Sequence, residues 1–252
     1  MYMHADTWKR QRKLCHHLMG TSSTASLHGY PTRERDRFLY LMGQDPGNYI
    51  EWVEQFTSRT VSRLAWGSPH PAKVLRKTTF GLLEAISPSG ALPNVISWLA
   101  HIPSILSPWK QKEKARHRLE EKLFEGNVDY VRKMLDRDSA NPSFIRTFLE
   151  DKDRETMDEK LKDRWGNIKE GSYVAGLMAI AGALTIGSPI QSFFLAMCHY
   201  PDWQRRLQKE IDQSCAGKCP QWEDREKLPL LRAVVKEVMR WRPPVPTGRK
   251  YR

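Results

Sequence analysis

From position 171 to position 201 the sequence contains no Asp, Glu, Lys or Arg, and this uncharged run constrains the fold more than any other feature. A helix of that length is long enough to cross a bilayer. The run also carries Ser172, Gly176, Gly182, Thr185, Gly187, Ser188, Pro189, Gln191 and Ser192, which are costly in lipid or weaken a helix. It is therefore read as a long helix, about Asn167 to His199, through the middle of a helical domain, with a membrane span as the weaker alternative. A helix that is apolar on all sides has to be covered on all sides. With 252 residues, 40% of them hydrophobic, the chain has the material for a substantial core.

Helical periodicity dominates elsewhere, and no run alternates convincingly enough for a strand. Asp6 is placed to cap a basic helix from Thr7 to about Met19. A Ser/Thr-rich connection, Gly20–Ser26, precedes a short helix near Thr32–Met42. Pro46 opens a longer helix in which Ile50, Val53, Phe56, Thr60, Val61 and Leu64 recur, and Gly67 closes it. Residues 73–86 form another helix, and the Pro-, Gly- and Ser-rich stretch Ser87–Pro108 is a loop. A strongly charged helix, Trp109 to about Leu135, buries Leu119, Leu123, Val128, Val131 and Leu135. A short helix at Ser143–Glu150 comes before the uncharged one. Beyond it lie an amphipathic helix from Pro201 to about Gln213 and a last helix from Pro229 to about Trp241, stopped by Pro243-Pro244. The expected fold class is all-α.

The formal net charge of +12 asks for an anionic partner or an uneven soluble surface. No nucleic-acid-binding motif is present, so nucleic acid is not expected as a partner. The four cysteines, Cys15, Cys198, Cys215 and Cys219, have neither disulfide-framework nor zinc spacing. An intracellular, reduced chain is the expectation.

Three groups of residues could carry function. Glu237 and Arg240 lie three apart and share a helix face, so they can form an ion pair. That pair is a surface contact if exposed. If Leu230, Val234, Val238 and Trp241 bury the helix, it is a paired internal charge that holds the fold. Trp8 and Arg12 are one turn apart. An indole N–H beside a guanidinium suits a carboxylate, and equally the two are part of an ordinary basic helix with Lys9, Arg10 and Lys13. Ala181 and Gly182 remove bulk where something flat could approach a backbone, and Thr185 adds a hydroxyl able to relay a proton. Small residues for close helix packing are the alternative.

Taken in order, DTWKRQRK with Trp8-x-x-x-Arg12, AGALT (Ala181–Thr185) followed by SFFLAMCHYPDWQRRLQKEID, and KLPLLRAVVKEVMRWRPPVP with Glu237-x-x-Arg240 resemble the cytochrome P-450 family, its fungal members especially. The resemblance covers nearly all of residues 1–252, from the basic first helix to the Glu-x-x-Arg helix. It implies the central helical part of that fold, with most of the small β region missing and the chain truncated at both ends. By resemblance the protein is a haem-thiolate monooxygenase that oxidises an apolar organic substrate with oxygen, as in fungal specialised metabolism. An NADPH-dependent reductase would dock on an electropositive face. The family implies haem as cofactor, Trp8 and Arg12 for a haem propionate, and Ala181, Gly182 and Thr185 at the oxygen site. Glu237 and Arg240 would be a structural pair.

The family usually resides at the endoplasmic-reticulum membrane, and no N-terminal anchor is expected in this chain. Three departures matter. Leu184 replaces the acid that normally precedes the threonine, Pro189 is expected to kink or break the central helix, and the haem-ligating cysteine loop is absent. None of the four cysteines follows the Phe-x-x-Gly-x-x-x-Cys type of approach. A catalytically inactive remnant, or a helical partner- or ligand-binding protein, is the alternative function.

Overall fold

Prolines mark where much of this chain becomes helical, because a proline at the first position gives up an N–H that would have no partner there. In the computed structural model, which describes residues 5–21, 25–86, 95–157 and 164–245, Pro108, Pro201 and Pro229 each begin a helix. The helices in chain order are α1 (Ala5–Thr21), α2 (Ala25–Gln44), α3 (Tyr49–Trp66), α4 (Ala72–Ile86), α5 (Pro108–Leu135), α6 (Phe144–Met157), α7 (Ile168–His199), α8 (Pro201–Cys215) and α9 (Pro229–Trp241). Short 3-10 turns occupy Pro46–Asn48, Ser97–His101, Ser104–Leu106 and Trp222–Lys227. No strand occurs among the described residues, and the all-α expectation is met.

Several elements differ from expectation: α1 begins at Ala5 and so takes in Asp6, which was expected to cap it, and α6 runs past Glu150 to Met157. The helix expected from Thr32 begins at Ala25 and passes through Pro31. Likewise α7 is not broken at Pro189 but runs on to His199. A proline forfeits one backbone hydrogen bond and crowds one carbonyl, a local cost that a helix this long can absorb. Part of the expected loop, residues 87–94, lies outside the described residues, as do residues 22–24 of the first connection.

The chain divides into two compact units, Met1–Glu34 with Ser58–Ala183, and Arg35–Thr57 with Leu184–Arg252. The first unit has a large apolar core. Leu14 and Leu18 of α1, Trp66 of α3, Leu75 of α4, Phe124 and Val128 of α5, Ile145 and Phe148 of α6, and Ala175 and Ile180 of α7 are buried together. Glycines on α7 let aromatic rings lie directly on its backbone. A Cβ at Gly171 would overlap the Phe148 ring, and one at Gly176 the Phe124 ring. Phe124 in turn stacks on Trp66 at 6.4 Å and meets Tyr173 edge-on at 5.4 Å. Among the described residues α7 is the helix long and apolar enough to span a membrane by length and composition, yet its first half is built into this core.

One internal charge cluster accompanies that core. The Glu34 carboxylate, at 1% side-chain exposure, meets Arg59 Nε and Arg63 Nε, each at 2.5 Å. Burial pushes its pKa up, but the hydrogen bonds from the two arginines outweigh burial and hold it below the ordinary glutamate value.

In the second unit, Ala196, Met197 and Leu207 form a smaller core with Phe193, Leu230, Leu231 and Val234. The N-terminus of α9 is closed by Glu210 of α8, whose two carboxylate oxygens accept the Leu230 and Leu231 N–H groups at 2.8 and 3.0 Å. This satisfies two amides that the helix itself cannot, and places a negative charge at the positive end of its dipole.

Candidate functional site

The phase of α1 about its own axis decides what Trp8 and Arg12 can do. Successive residues turn by about 100°, so positions 10, 14, 17 and 18 share one side. All four are engaged. Leu14 and Leu18 are fully buried, and Arg10 Nη2 donates to both Glu170 carboxylate oxygens at 3.0 and 2.7 Å. His17 Nε2 stands 2.6 Å from Asp151 Oδ2, with its ring stacked on Trp165 at 5.0 Å.

Trp8 and Arg12 fall on the opposite side. The Arg12 guanidinium lies over the Trp8 ring, 5.3 Å from its centroid, and Trp8 is 46% exposed. Lys9, next to them, is engaged by Asp6 at 3.7 Å. No ion pair joins Arg12 to a carboxylate among the described residues. The two expected side chains are thus brought together, as an indole and a guanidinium stacked on an exposed side of the helix. Sequence reading missed Arg10 and Glu170, 160 positions apart, which set that orientation.

On α7, Ala181 is exposed, Gly182, Leu184 and Thr185 are half-buried, and Ala181 and Thr185 stand one turn apart. Pro189 does not interrupt the helix, which corrects the expected break.

Glu237 and Arg240 do form an ion pair. Arg240 Nη2 donates to Glu237 Oε1 at 2.5 Å and Nε to Oε2 at 2.8 Å. Of the two alternatives it is the surface contact, because the side chains are 60% and 72% exposed. The cause is the phase of α9. Leu230 and Val234 pack on Ala196 and Met197 of α7 and Leu207 of α8, and Glu237 and Arg240 line a groove of about 570 Å³ together with Ala196, Met197 and Val238. The Arg240 hydrogen bond lowers the Glu237 pKa.

Against a haem, these residues fit at one end. The Trp8–Arg12 pair offers donors of the right chemistry for propionate carboxylates. For the iron, Cys15 is half-buried with its pKa raised mainly by burial, and Cys215 is buried with its pKa likewise raised. Cys198 and Cys219 are exposed. No cluster of three or more His, Cys, Asp or Glu suited to a metal occurs among the described residues.

Comparison with known proteins adds independent findings. Residues 1–251 match the sequence model of the family described as Cytochrome P450. The cytochrome P450 monooxygenase CLM2 of Gibberella zeae is 30% identical over 267 residues, covering 100% of this chain and 49% of the relative. The cytochrome P450 monooxygenase fogE of Aspergillus ruber is 26% identical, covering 96% of this chain and 45% of the relative. A solved zebra fish cytochrome P450, determined with progesterone, shares the fold with a TM-score of 0.76 at 19% identity, over 95% of this chain and 55% of that one. The chain spans about half the length of the curated relatives it matches.

Proposed function

Since this chain belongs to the cytochrome P450 family, we propose that it is the helical part of a haem-dependent monooxygenase acting on an apolar organic substrate, with oxygen and an NADPH-dependent reductase. The observation that carries this reading is the Trp8–Arg12 stack, presented on the side of α1 opposite the one that Arg10, Leu14 and Leu18 fix to the core. When bound, haem supplies the iron chemistry of oxygen activation. The chain's own residues do the rest. Trp8 Nε1–H and the Arg12 guanidinium hold propionate oxygens, and Ala181 and Gly182 leave room along α7. The Thr185 hydroxyl moves a proton without help from position 184, where the leucine has none. The net charge of +12 favours docking of an acidic electron donor. An intracellular setting at the endoplasmic-reticulum membrane, and a role in fungal specialised metabolism, belong to the same reading.

Haem titration of the purified chain, followed by absorbance and tryptophan quenching, tests it. Saturation at one equivalent is expected, weakened about tenfold in Arg12→Gln through loss of a charge-assisted hydrogen bond. Trp8→Phe should weaken it less. The reduced complex with carbon monoxide should lack the thiolate-type band, because none of the four cysteines occupies a ligand loop. Equal affinity in parent and both variants would overturn the assignment of Trp8 and Arg12. No saturable binding would favour the inactive, partner-binding alternative.

A further inference from the structure

The connection from α8 toward α9 carries two of the four cysteines, and nothing in the monooxygenase reading uses them. α8 ends at Cys215. Ala216 (φ 49°, ψ 44°) and Gly217 (φ 74°) both take left-handed backbone, and the Lys218 N–H returns to the Cys215 carbonyl at 2.9 Å. Two left-handed residues inside such a closed loop make a tight reversal whose first and fourth Cα atoms lie within about 7 Å. Cys219 is one step of about 3.8 Å further on. The far side of the turn is anchored. The Cys219 carbonyl accepts from Gln221 Nε2 at 3.0 Å, the Pro220 carbonyl from Arg35 Nη1 at 2.5 Å, and Ser214 Oγ donates to the Lys227 carbonyl at 3.2 Å.

The two thiols are inequivalent. Cys219 is exposed and Cys215 is buried, and both are free. Burial raises the Cys215 pKa first, with the Asp224 carboxylate adding to it and Lys227 opposing it. A disulfide needs Cα atoms about 4.4–6.8 Å apart, within reach of a turn of this kind.

We propose that Cys215 and Cys219 form a peroxide-responsive dithiol that closes into a local disulfide. The exposed Cys219 thiolate attacks one oxygen of hydrogen peroxide. The O–O bond breaks, and the products are a sulfenic acid and hydroxide, which takes a proton to become water. The Cys215 sulfur, giving up its proton, then attacks the Cys219 sulfur and displaces the hydroxyl as a second water. Two thiols and one peroxide thus yield one disulfide and two waters. Exposure sets the order, since the buried thiol is the poorer first nucleophile and the better-shielded resolving one.

Trypsin supplies a direct readout, because it cuts after Lys218 between the two cysteines. The purified chain is treated with a few equivalents of hydrogen peroxide, its remaining thiols are alkylated, and the digest is weighed. The expected product joins peptide 210–218 to peptide 219–225 through a reducible bond. With dimedone present, Cys215→Ser should accumulate the adduct at Cys219, whereas Cys219→Ser should leave Cys215 unlabelled. Cys219→Ser should melt with the parent and Cys215→Ser somewhat below it, because a hydroxyl replaces a buried thiol, and the linked peptide in the parent needs no variant at all. Alkylated Cys215 and Cys219 in the peroxide-treated parent, equal dimedone labelling of the two, or disulfides between chains would each overturn the proposal.

Discussion

Arg10 on α1 and Glu170 on α7 meet in a two-oxygen ion pair, with Nη2 contacts of 2.7 and 3.0 Å and Glu170 only 13% exposed. Gly166, at φ +82°, makes room for it, since a Cβ there would run into the Glu170 carboxylate. Asn167 Oδ1 accepts the Glu170 N–H at 2.8 Å, so the helix end that presents the carboxylate is itself capped. One contact therefore sets both the phase of α1 and the start of α7.

Arg10→Gln and Glu170→Gln should each destabilise the chain by about 1–3 kcal/mol, between the values for exposed and fully buried pairs because Arg10 remains about a third exposed. Urea unfolding of the two variants and the double variant checks this. The double variant should cost less than the sum, since the second substitution no longer strands a charge.

Glu34 should matter more. With Arg59 and Arg63 both directed at it, Glu34→Ala should cost about 3 kcal/mol or more, read as a fall in the denaturation midpoint. The sign of the pH effect follows from its depressed pKa. The contribution is fully present above the unfolded glutamate value and is lost as pH falls through the lower folded value. Melting temperature should therefore drop on acidification more steeply in the parent than in Glu34→Ala.

Glu237→Ala and Arg240→Ala should melt with the parent, because the pair sits in water lining its groove. Its pKa shift points the same way as that of Glu34, so any small contribution disappears as pH falls through the folded glutamate value. A large loss of stability in either variant would mean that the pair is covered in solution.

Two glycines should respond in opposite directions. Gly176→Ala forces a methyl into the Phe124 ring and should cost about 1–3 kcal/mol. Gly126 on α5 has open space where its Cβ would stand, so Gly126→Ala should gain up to about 1 kcal/mol from helix propensity. Thermal melts of the two variants, side by side, read the difference.

The sequence by itself determined the helices and the family. Pro201 and Pro229 begin helices where they were read to do so, and α5 buries Leu123, Val128 and Val131 of its expected stripe. Both are local signals, a missing N–H and a periodicity of 3.6, which neighbouring residues express without reference to the rest of the chain. Trp8 and Arg12 were legible for the same reason, since one turn of helix is enough to stack them.

Tertiary structure alone decided which charges go inside. Glu34, unremarked in its own stretch of sequence, is buried against Arg59 and Arg63, while Glu237, beside an apolar stripe that left both outcomes open, is in water. Periodicity marks an apolar stripe, but the fate of a charge beside that stripe depends on what packs across from it. For Arg10 that partner lies 160 residues away, and for Pro189 the outcome rests on a helix long enough to outlast the loss of one hydrogen bond. Desolvation and pairing are set by neighbours in space, and a pattern within one helix carries no record of them.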